Sequence, residues 1–291
     1  MQGPLTLLNA LELSTAYLAN RDIQTARLDA EVLLAHVLGV GRLDLYLNFD
    51  KPLADLDKSS YRETITRRAA FEPVAYITGK KEFYSLDFVV TRDVLIPRPE
   101  TELLVDKCLE CGKRLEPRLN KPIQIFEIGT GCGAIAICLA RKLKHSQIIA
   151  SDVSEKALAV AADNARRWGV IDRIRFLHGD LFCEFSQPLD IIVSNPPYVA
   201  FGEREALQRE ITEYEPAQAI FAGEHGTEVI EKIIYDAVGR LQPSGHLLLE
   251  FGQGQRTEIE RLLKTTRAYN SIEVFVDYQN IERIVQVKKH A

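Results

Sequence analysis

Apolar side chains recur at helical spacing through the first part of the chain, over residues 5–71. Leu28, Val32 and Ala35 illustrate the spacing, and no strand-like alternation of any length interrupts it. Such periodicity is typical of amphipathic helices. The pattern therefore predicts a small helical domain over residues 1–80.

Basic residues gather near the end of this segment, at Arg62, Arg67, Arg68, Lys80 and Lys81. A solvated helix face and a partner-binding patch both account for such a cluster. The solvated face is the favoured interpretation, and the domain as a whole is nearly neutral.

A short stretch rich in aromatic and β-branched residues follows at 82–90. It predicts a β-hairpin that links two domains, over residues 81–95. The next segment, Arg98-Pro99-Glu100-Thr101-Glu102, should start a helix, because proline suits the first helical position and carboxylates favour the positive end of the helix dipole. The second domain is expected over residues 96–291.

From Pro122 onward, apolar strands alternate with amphipathic helices, which predicts an α/β fold with a doubly wound parallel sheet. The last two candidate strands are too close in sequence for a crossover helix, so an antiparallel strand is expected at one edge. The candidate strands are 123–128, 147–151, 174–177, 191–194, 246–251, 272–276 and 284–287.

Length and composition narrow the class of protein. A chain of 291 residues exceeds the usual size of one core and favours two domains. A net charge of -5 argues against a dedicated nucleic-acid binder, so we expect no direct sequence-specific contact with nucleic acid. The chain lacks an apolar run of membrane-spanning length and a leader sequence, and its five scattered cysteines suit a reducing compartment. We expect a cytoplasmic protein without a membrane partner.

A glycine-rich loop follows the first strand of the sheet, with the sequence Phe126-Glu127-Ile128-Gly129-Thr130-Gly131-Cys132-Gly133-Ala134. Glycines suit a backbone that turns sharply and approaches a ligand closely. The spacing also satisfies the dinucleotide motif, so an NAD-dependent oxidoreductase and a tight turn without a ligand both stay open at this point. The expected cofactor residues of the loop are Glu127, Gly129, Thr130, Gly131, Cys132 and Gly133.

Two details of the loop favour a nucleoside that carries an amino acid, as S-adenosylmethionine does, over one that carries a pyrophosphate. Glu127 would repel a pyrophosphate but could attract an ammonium group, directly or through water. Gly133 is compact enough to leave room for a methionyl moiety. Asp152, after the second strand, would accept hydrogen bonds from the two ribose hydroxyls. After the third strand, Asp180 could bind the adenine amino group and Leu181 could pack on the ring, although a cap or turn role for Asp180 is equally open.

The strand Leu189–Ser194 is followed by Asn195-Pro196-Pro197-Tyr198, at the sheet edge where open α/β proteins bind ligands. Pro197 forces Pro196 into an extended conformation, and neither proline can donate a hydrogen bond. The Asn195 side-chain oxygen and the Pro196 carbonyl would hold the two N–H groups of a planar amide or amine, and Tyr198 would stack on it. Since a sulfonium methyl is already activated, alignment suffices, without a metal or a covalent nucleophile. Asn195, Pro196 and Tyr198 are the catalytic candidates.

Alternatives to this interpretation stay open. A DNA or RNA adenine methyltransferase could use the same motif, but it must extract a base and usually carries a basic recognition module. A rigid surface turn, a proline-rich ligand and a non-catalytic binding module are also compatible with the motif. Glu250 and Phe251 end a late strand near the expected pocket, where a core role and substrate contact are equally open.

With both motifs in place, nearly the whole chain resembles the HemK/PrmC family, which methylates the glutamine of the Gly-Gly-Gln motif in peptide chain release factors. Ile96-Pro97-Arg98-Pro99-Glu100-Thr101-Glu102 and Tyr214-Glu215-Pro216 with Ala219 add to the likeness. The resemblance implies a seven-stranded class I, Rossmann-like methyltransferase sheet and a helical domain that helps dock the release factor. It also implies a glutamine side chain held at Asn195, Pro196, Pro197 and Tyr198, and S-adenosylmethionine held at Gly129, Gly131, Gly133, Asp152 and Asn195.

Overall fold

A computed structural model describes residues 5–116, 121–183 and 185–291 of the chain. The predicted domain ranges also include residues 1–4, 117–120 and 184, which lie outside the described residues. Within the described ranges, no helix combines the length and the apolar character needed to cross a bilayer.

The chain forms two compact units. The helical unit contains the residues up to Lys80 together with Gln208–Tyr214. The sheet unit contains Lys81–Leu207 and Glu215–Ala291. The linking hairpin is therefore part of the sheet unit, whereas a short stretch after the Asn-Pro-Pro-Tyr motif is part of the helical unit.

The secondary structure alternates as the sequence pattern predicts. The helices, in chain order, are α1 (Leu7–Ala19), α2 (Ala26–Leu38), α3 (Arg42–Tyr46), α4 (Asp55–Ala69), α5 (Val74–Thr78), α6 (Thr101–Leu115), α7 (Ala134–Lys142), α8 (Glu155–Arg167), α9 (Arg209–Tyr214), α10 (Glu228–Arg240) and α11 (Arg256–Thr266). The strands are β1 (Lys80–Phe83), β2 (Leu86–Val89), β3 (Ile123–Ile128), β4 (Ser146–Asp152), β5 (Ile174–His178), β6 (Leu189–Ser194), β7 (Val199–Ala200), β8 (Phe221–Gly223), β9 (Leu241–Glu250), β10 (Tyr269–Val276) and β11 (Glu282–Lys289). Short 3₁₀ helices cover Ile171–Arg173, Phe201–Ala206 and Ala217–Ala219.

The core of the helical unit forms between the apolar faces of α1, α2 and α4. Leu33 and Leu34 of α2 are fully buried, and Ala30 lies beside them on the same face. The predicted helices are confirmed, but Leu28, which illustrated the spacing, is 43% exposed. Periodicity identified the helix correctly, yet the residues that face the core depend on which neighbouring helices α2 meets.

Arg68 of α4 points into the helical unit, so the predicted solvated face is wrong at this residue. Its guanidinium donates to Asp29 over 2.7 Å and to Glu210 over 2.8 Å. Only 6% of Arg68 is exposed. The Tyr214 hydroxyl also donates to the Ala70 carbonyl over 2.7 Å. These contacts tie α9 to α2 and α4.

The predicted hairpin is present as β1 and β2. Its two turn residues, Tyr84 and Ser85, have φ angles of +53° and +58°, as a tight type I′ turn requires. Phe83 and Phe88 are buried and their rings meet edge to face at 6.1 Å. The hairpin is fixed to α6 of the sheet unit because the Tyr84 N–H donates to Glu102 and the Tyr84 hydroxyl donates to Asp106, each over 2.7 Å.

The central sheet has seven strands among the described residues, in the order β10-β11-β9-β6-β3-β4-β5. All the predicted strands are confirmed, and β3, β4, β5, β6 and β9 run parallel. The predicted edge position of the antiparallel strand is wrong. Strand β11 is antiparallel to both of its neighbours and lies between β10 and β9, because the short β10–β11 connection forms a hairpin and β11 then pairs with β9.

Strand β3 lies at the point where the strand order reverses, since β4 and β5 follow on one side and β6 on the other. In open α/β sheets, the crevice at such a point receives ligands at the carboxyl ends of the strands. Strand β6 is buried along its whole length, as expected for a strand covered on both faces. The fold therefore brings the residues that follow β3 and β6 to one crevice.

Candidate active site

A cavity of about 300 Å³ lies at the carboxyl ends of the central parallel strands, and all of its lining belongs to the sheet unit. The predicted site residues that line it are Gly129, Gly131, Asp152, Asp180, Leu181, Asn195, Pro196 and Pro197. The predicted residues that do not line it are Glu127, Thr130, Cys132, Gly133 and Tyr198. The structure thus brings both motifs to one cavity and places part of each behind it.

Gly129 and Gly131 give the loop an open backbone. Their φ angles are +71° and +56°, and a Cβ atom at either position would meet no heavy atom within 4 Å. Side chains rarely adopt this left-handed region, and here they would also project into open space. A ligand can therefore lie directly against the backbone of the loop.

Gly133 has a different role from the one that its compactness suggested. Its φ is +84°, and a Cβ there would lie 3.0 Å from Ile137 Cδ1 and 3.1 Å from Ala161 Cβ. The residue permits α7 and α8 to approach closely, and it does not face the cavity. The predicted room for a methionyl moiety at Gly133 is therefore wrong. Asn164 of α8 also donates to the Cys132 carbonyl over 2.9 Å, which fixes the loop from behind.

Glu127 supports the loop from the interior of the sheet unit. Its Oε2 accepts hydrogen bonds from the Thr130 hydroxyl at 2.8 Å and the Ala136 backbone N–H at 3.0 Å. Its Oε1 is buried without a hydrogen-bond partner among the described residues. Burial raises the pKa of Glu127 to about 8. The carboxyl is therefore mostly neutral near pH 7 unless a positive charge lies nearby.

Asp152 closes the loop at the end of β4. Its Oδ2 accepts from the Gly131 N–H at 2.8 Å and its Oδ1 accepts from the Ser154 N–H at 2.9 Å. Burial raises the pKa of Asp152, and these backbone hydrogen bonds oppose the rise. Each carboxylate oxygen has a further lone pair that can accept from a ligand hydroxyl.

Asp180 and Leu181 lie in a turn after β5, and both line the cavity. The Asp180 carbonyl accepts from the Cys183 N–H at 2.8 Å, and the Leu181 carbonyl accepts from the Ser151 hydroxyl at 2.6 Å. Leu181 has a φ of +47°. Asp180 therefore lies in a turn, which was one of the two roles left open, and it also lines the cavity; its binding of the adenine amino group stays a prediction.

Asn195 follows β6, and its amide is held by a hydrogen bond. Its Nδ2 donates to Thr101 Oγ1 over 3.0 Å. The Oδ1 atom of Asn195 is then left as an acceptor for a ligand in the cavity. Pro196 and Pro197 continue the lining beside it. The motif therefore presents acceptor atoms that belong to one short rigid segment.

Tyr198 lies behind this segment. Its hydroxyl is 3.4 Å from Glu250 Oε1, and its ring packs against the apolar core of the sheet unit. Its backbone carbonyl accepts from Gln255 Nε2 at 2.8 Å. Burial raises the pKa of the Tyr198 hydroxyl well above its ordinary value. The residue is thus clamped by its backbone and by its ring.

Several supporting residues were not identified from the sequence. Arg98 donates to Glu215 over 2.6 Å, and the Ile96 N–H donates to the same buried carboxylate over 3.2 Å. The segments around them contribute Leu95 and Pro216 to the cavity lining. Both segments belong to the family resemblance, but their pairing joins residues 117 positions apart. Nothing in the local pattern indicates such a contact.

Two family models match the chain. The model described as PrmC N-terminal domain matches residues 9–79, and the model described as methyltransferase small domain matches residues 111–217. These matches fall on the helical segment and on the segment that contains both motifs.

The curated relatives cover nearly all of the chain. It is 37% identical over 289 residues to a release factor glutamine methyltransferase of Rhodopirellula baltica, covering 98% of this chain and 97% of the relative. It is 40% identical over 262 residues to a release factor glutamine methyltransferase of Geobacter sulfurreducens, covering 90% and 89%.

Among solved structures, the chain is similar to the T. thermophilus 16S rRNA N2 G1207 methyltransferase in complex with AdoMet and guanosine. The TM-score is 0.52 at 18% sequence identity, over 72% of this chain and 50% of that chain. An identity this low shows the fold alone. The predicted class I methyltransferase fold is confirmed.

Proposed function

Because the chain belongs to the family of release factor glutamine methyltransferases, we propose that it methylates the glutamine side-chain amide in the Gly-Gly-Gln motif of peptide chain release factors. S-adenosylmethionine is the methyl donor. The substrate is then a protein of translation termination, and the proposed place of reaction is the cytoplasm.

The orientation of Asn195 is the observation that carries the proposal. An amide nitrogen is a poor nucleophile because its lone pair is delocalised into the carbonyl, and its NH2 group offers two donors. A site for this group needs two fixed acceptors. Because Asn195 donates its own NH2 to Thr101, its oxygen can accept one N–H of the substrate while the Pro196 carbonyl accepts the other.

The glycine loop fits a nucleoside that carries an amino acid. Gly129 and Gly131 leave space for a ligand against the backbone, and Asp152 keeps acceptor positions for ribose hydroxyls. Asp180 and Leu181 line the same cavity, where the adenine is proposed to lie. The buried Oε1 of Glu127, which has no partner among the described residues, suits an interaction with the ammonium group through water.

The reaction depends on alignment of the amide nitrogen with the methyl donor more than on acid or base groups. When bound, S-adenosylmethionine would supply a methyl group already activated on a sulfonium; its S–C bond would break to leave a neutral thioether, and the methylated amide nitrogen would release one proton to solvent. Asn195 and Pro196 hold the nitrogen in line with the donor, and such positioning alone can remove several kcal/mol of barrier. Pro197 keeps Pro196 extended, and Tyr198, whose ring packs in the core behind this segment, is proposed to hold the segment in place and not to stack on the amide.

The helical unit is proposed to dock the release factor. The match to the PrmC N-terminal domain over residues 9–79 supports this assignment. Docking through a separate unit would let the glutamine loop be presented to the cavity without requiring the cavity itself to recognise the whole substrate.

The proposed function is tested with a purified release factor and labelled S-adenosylmethionine. Mass spectrometry of the digested substrate should show one added methyl on the glutamine of the Gly-Gly-Gln motif. A release factor with that glutamine replaced by alanine is the control and should gain nothing. Methylation of DNA or RNA alone at a comparable rate would overturn the proposal.

A further inference from the structure

A buried carboxyl lies behind the acceptor segment. Glu250 ends β9, and its side chain is fully buried. The Tyr198 hydroxyl donates to its Oε1 across 3.4 Å, and the Thr101 hydroxyl interacts with the carboxyl and lowers its pKa. Its Oε2 is buried and has no hydrogen-bond partner among the described residues. A buried carboxyl held this loosely costs stability, so packing alone does not account for it.

Thr101 links Asn195 to Glu250, because it accepts from the Asn195 amide and interacts with the carboxyl. Asn195 Nδ2 donates to Thr101 Oγ1, and a hydroxyl has only one proton of its own to donate. That proton is left for the Glu250 carboxyl, which accepts when ionised and keeps an acceptor oxygen when protonated. A proton directed at Glu250 makes Thr101 the acceptor for Asn195.

We propose that Thr101 and Glu250 are positioning residues that hold the Asn195 amide with its oxygen toward the substrate. The inference rests on the proposed function. In the opposite orientation, Asn195 would present NH2 to the NH2 of the substrate, and two donors would face each other. The oxygen and nitrogen of an amide have nearly the same shape, so packing cannot select between the two orientations. The direction of the hydrogen bonds from Asn195 through Thr101 to Glu250 can select between them.

The charges around Glu250 agree with this arrangement. Burial raises its pKa to about 7, and the Glu100 carboxylate also raises it. Thr101, Arg283 and Tyr198 act in the other direction. Both protonation states are therefore accessible near neutral pH, and both accept from Thr101. The orientation of Asn195 does not depend on which of them is present.

The first test removes the Thr101 hydroxyl without changing the size of the side chain. Thr101→Val should lower kcat for release factor methylation about tenfold, because the amide of Asn195 is then free to turn. The KM for the release factor and the calorimetric affinity for S-adenosylmethionine should change less than about twofold, which also shows that the variant is folded. The matched variant Thr101→Ser keeps the hydroxyl and should recover most of the lost rate.

The second test uses a side chain that has no orientation to choose. In Asn195→Asp, both side-chain oxygens are acceptors. Adding Thr101→Val to this background should lower kcat less than about twofold, since the two substitutions act on one step. An equal tenfold loss in both backgrounds would overturn the inference, because Thr101 would then act through the start of α6. A Thr101→Ser protein no faster than Thr101→Val would overturn it independently, even if Asn195→Asp were too slow to measure.

The third test changes the acceptor itself. Glu250→Gln has the same shape but brings an NH2 group that can donate to Thr101 and permit the reversed orientation. The expected result is a kcat several-fold below that of the wild type with unchanged cofactor affinity. An unchanged kcat would remove Glu250 from the proposal. A wild-type protein that does not methylate the release factor would overturn the proposed function together with this inference, whereas an active wild type with unaffected variants would overturn the inference alone.

Discussion

The glycine wall of the cavity, Gly129, Gly131 and Asp152, comes from one continuous stretch of chain. The acceptor wall, Asn195 and Pro196, depends instead on side chains from distant segments. In the glycine wall, the loop between β3 and α7 is closed by a hydrogen bond from the Gly131 N–H to Asp152. In the acceptor wall, Thr101 holds the Asn195 amide from 94 positions away.

The difference concerns what each wall must do. A wall that accommodates a flat nucleoside needs an open backbone, which local glycines provide. A wall that orients one amide needs a defined polarity, which only hydrogen bonds from other parts of the fold can impose. We therefore expect substitutions in the glycine wall to affect cofactor affinity or stability, and substitutions in the acceptor wall to affect turnover.

The largest expected effect is on turnover, from Asn195→Ala. Loss of a fixed acceptor for the reacting amide should lower kcat on the order of a hundredfold to a thousandfold, as for other preorganised polar groups. Calorimetry should show an affinity for S-adenosylmethionine within about threefold of the wild type, because most of the cofactor contacts are proposed to lie in the glycine wall. A parallel loss of affinity and turnover would show that the two walls do not act separately.

A smaller effect concerns stability and its dependence on pH. The pKa of Glu127 is raised from 4.5 to about 8 by burial, so its contribution is fully present below pH 4.5 and is lost as pH rises through about 8. The wild type should therefore lose free energy of unfolding on the order of a few kcal/mol as pH rises over this range, and Glu127→Gln should remove this loss. Urea unfolding of both proteins at several pH values measures the difference.

The control for this prediction is a carboxyl whose pKa shifts the other way. Burial opposes ionisation of Glu31 in the helical unit, but hydrogen bonds from Tyr46, Arg42 and Arg27 lower its pKa overall. Its contribution is therefore present above the unfolded-state pKa and lost as pH falls. Glu31→Gln should therefore remove a loss of stability that the wild type shows as pH falls, so the difference between variant and wild type should change with pH in the opposite sense to that for Glu127→Gln. The same sign in both variants would contradict the prediction.

The smallest effect distinguishes two glycines of one loop. Gly131→Ala should weaken S-adenosylmethionine binding about tenfold, because the added methyl projects into the cavity from a strained backbone. Gly133→Ala should instead lower the free energy of unfolding by about 1–3 kcal/mol, because its methyl meets Ile137 and Ala161. Calorimetry and thermal unfolding separate the two outcomes. A greater loss of S-adenosylmethionine affinity in Gly133→Ala than in Gly131→Ala would contradict this prediction and would place Gly133 in the site.

The fold could be predicted where the pattern was strong over a whole element. Strands such as β3 and β6 are continuous apolar runs, and the helices between them are amphipathic. Strand β9 was predicted too short at its start, because Gln242-Pro243-Ser244-Gly245 is typical of a turn. The structure includes these residues in β9, and the pairing with β6 is irregular beside them. Tertiary pairing prevailed over the local preference.

The site could be predicted only as far as its residues are contiguous. Asn195 and the glycines stand in motifs that follow strands, so their position in the fold was implied. Thr101 and Glu215 stand in segments that carry the family likeness, but these segments do not follow strands, and Gln255 stands in no motif. The importance of all three residues comes from contacts made after folding. A hydroxyl or an amide side chain can be recognised as a positioning group only when its hydrogen-bond partner is known.

Helix α9 adds a constraint on how the chain can be recombined. It belongs to the helical unit, where Glu210 meets Arg68 and Tyr214 meets Ala70, although the chain before Gln208 and after Tyr214 belongs to the sheet unit. A shortened chain starting at Lys81 would lose both partners. A chimera of two relatives should therefore inherit the residues up to Lys80 and Gln208–Tyr214 from the same parent, since these two stretches form one unit.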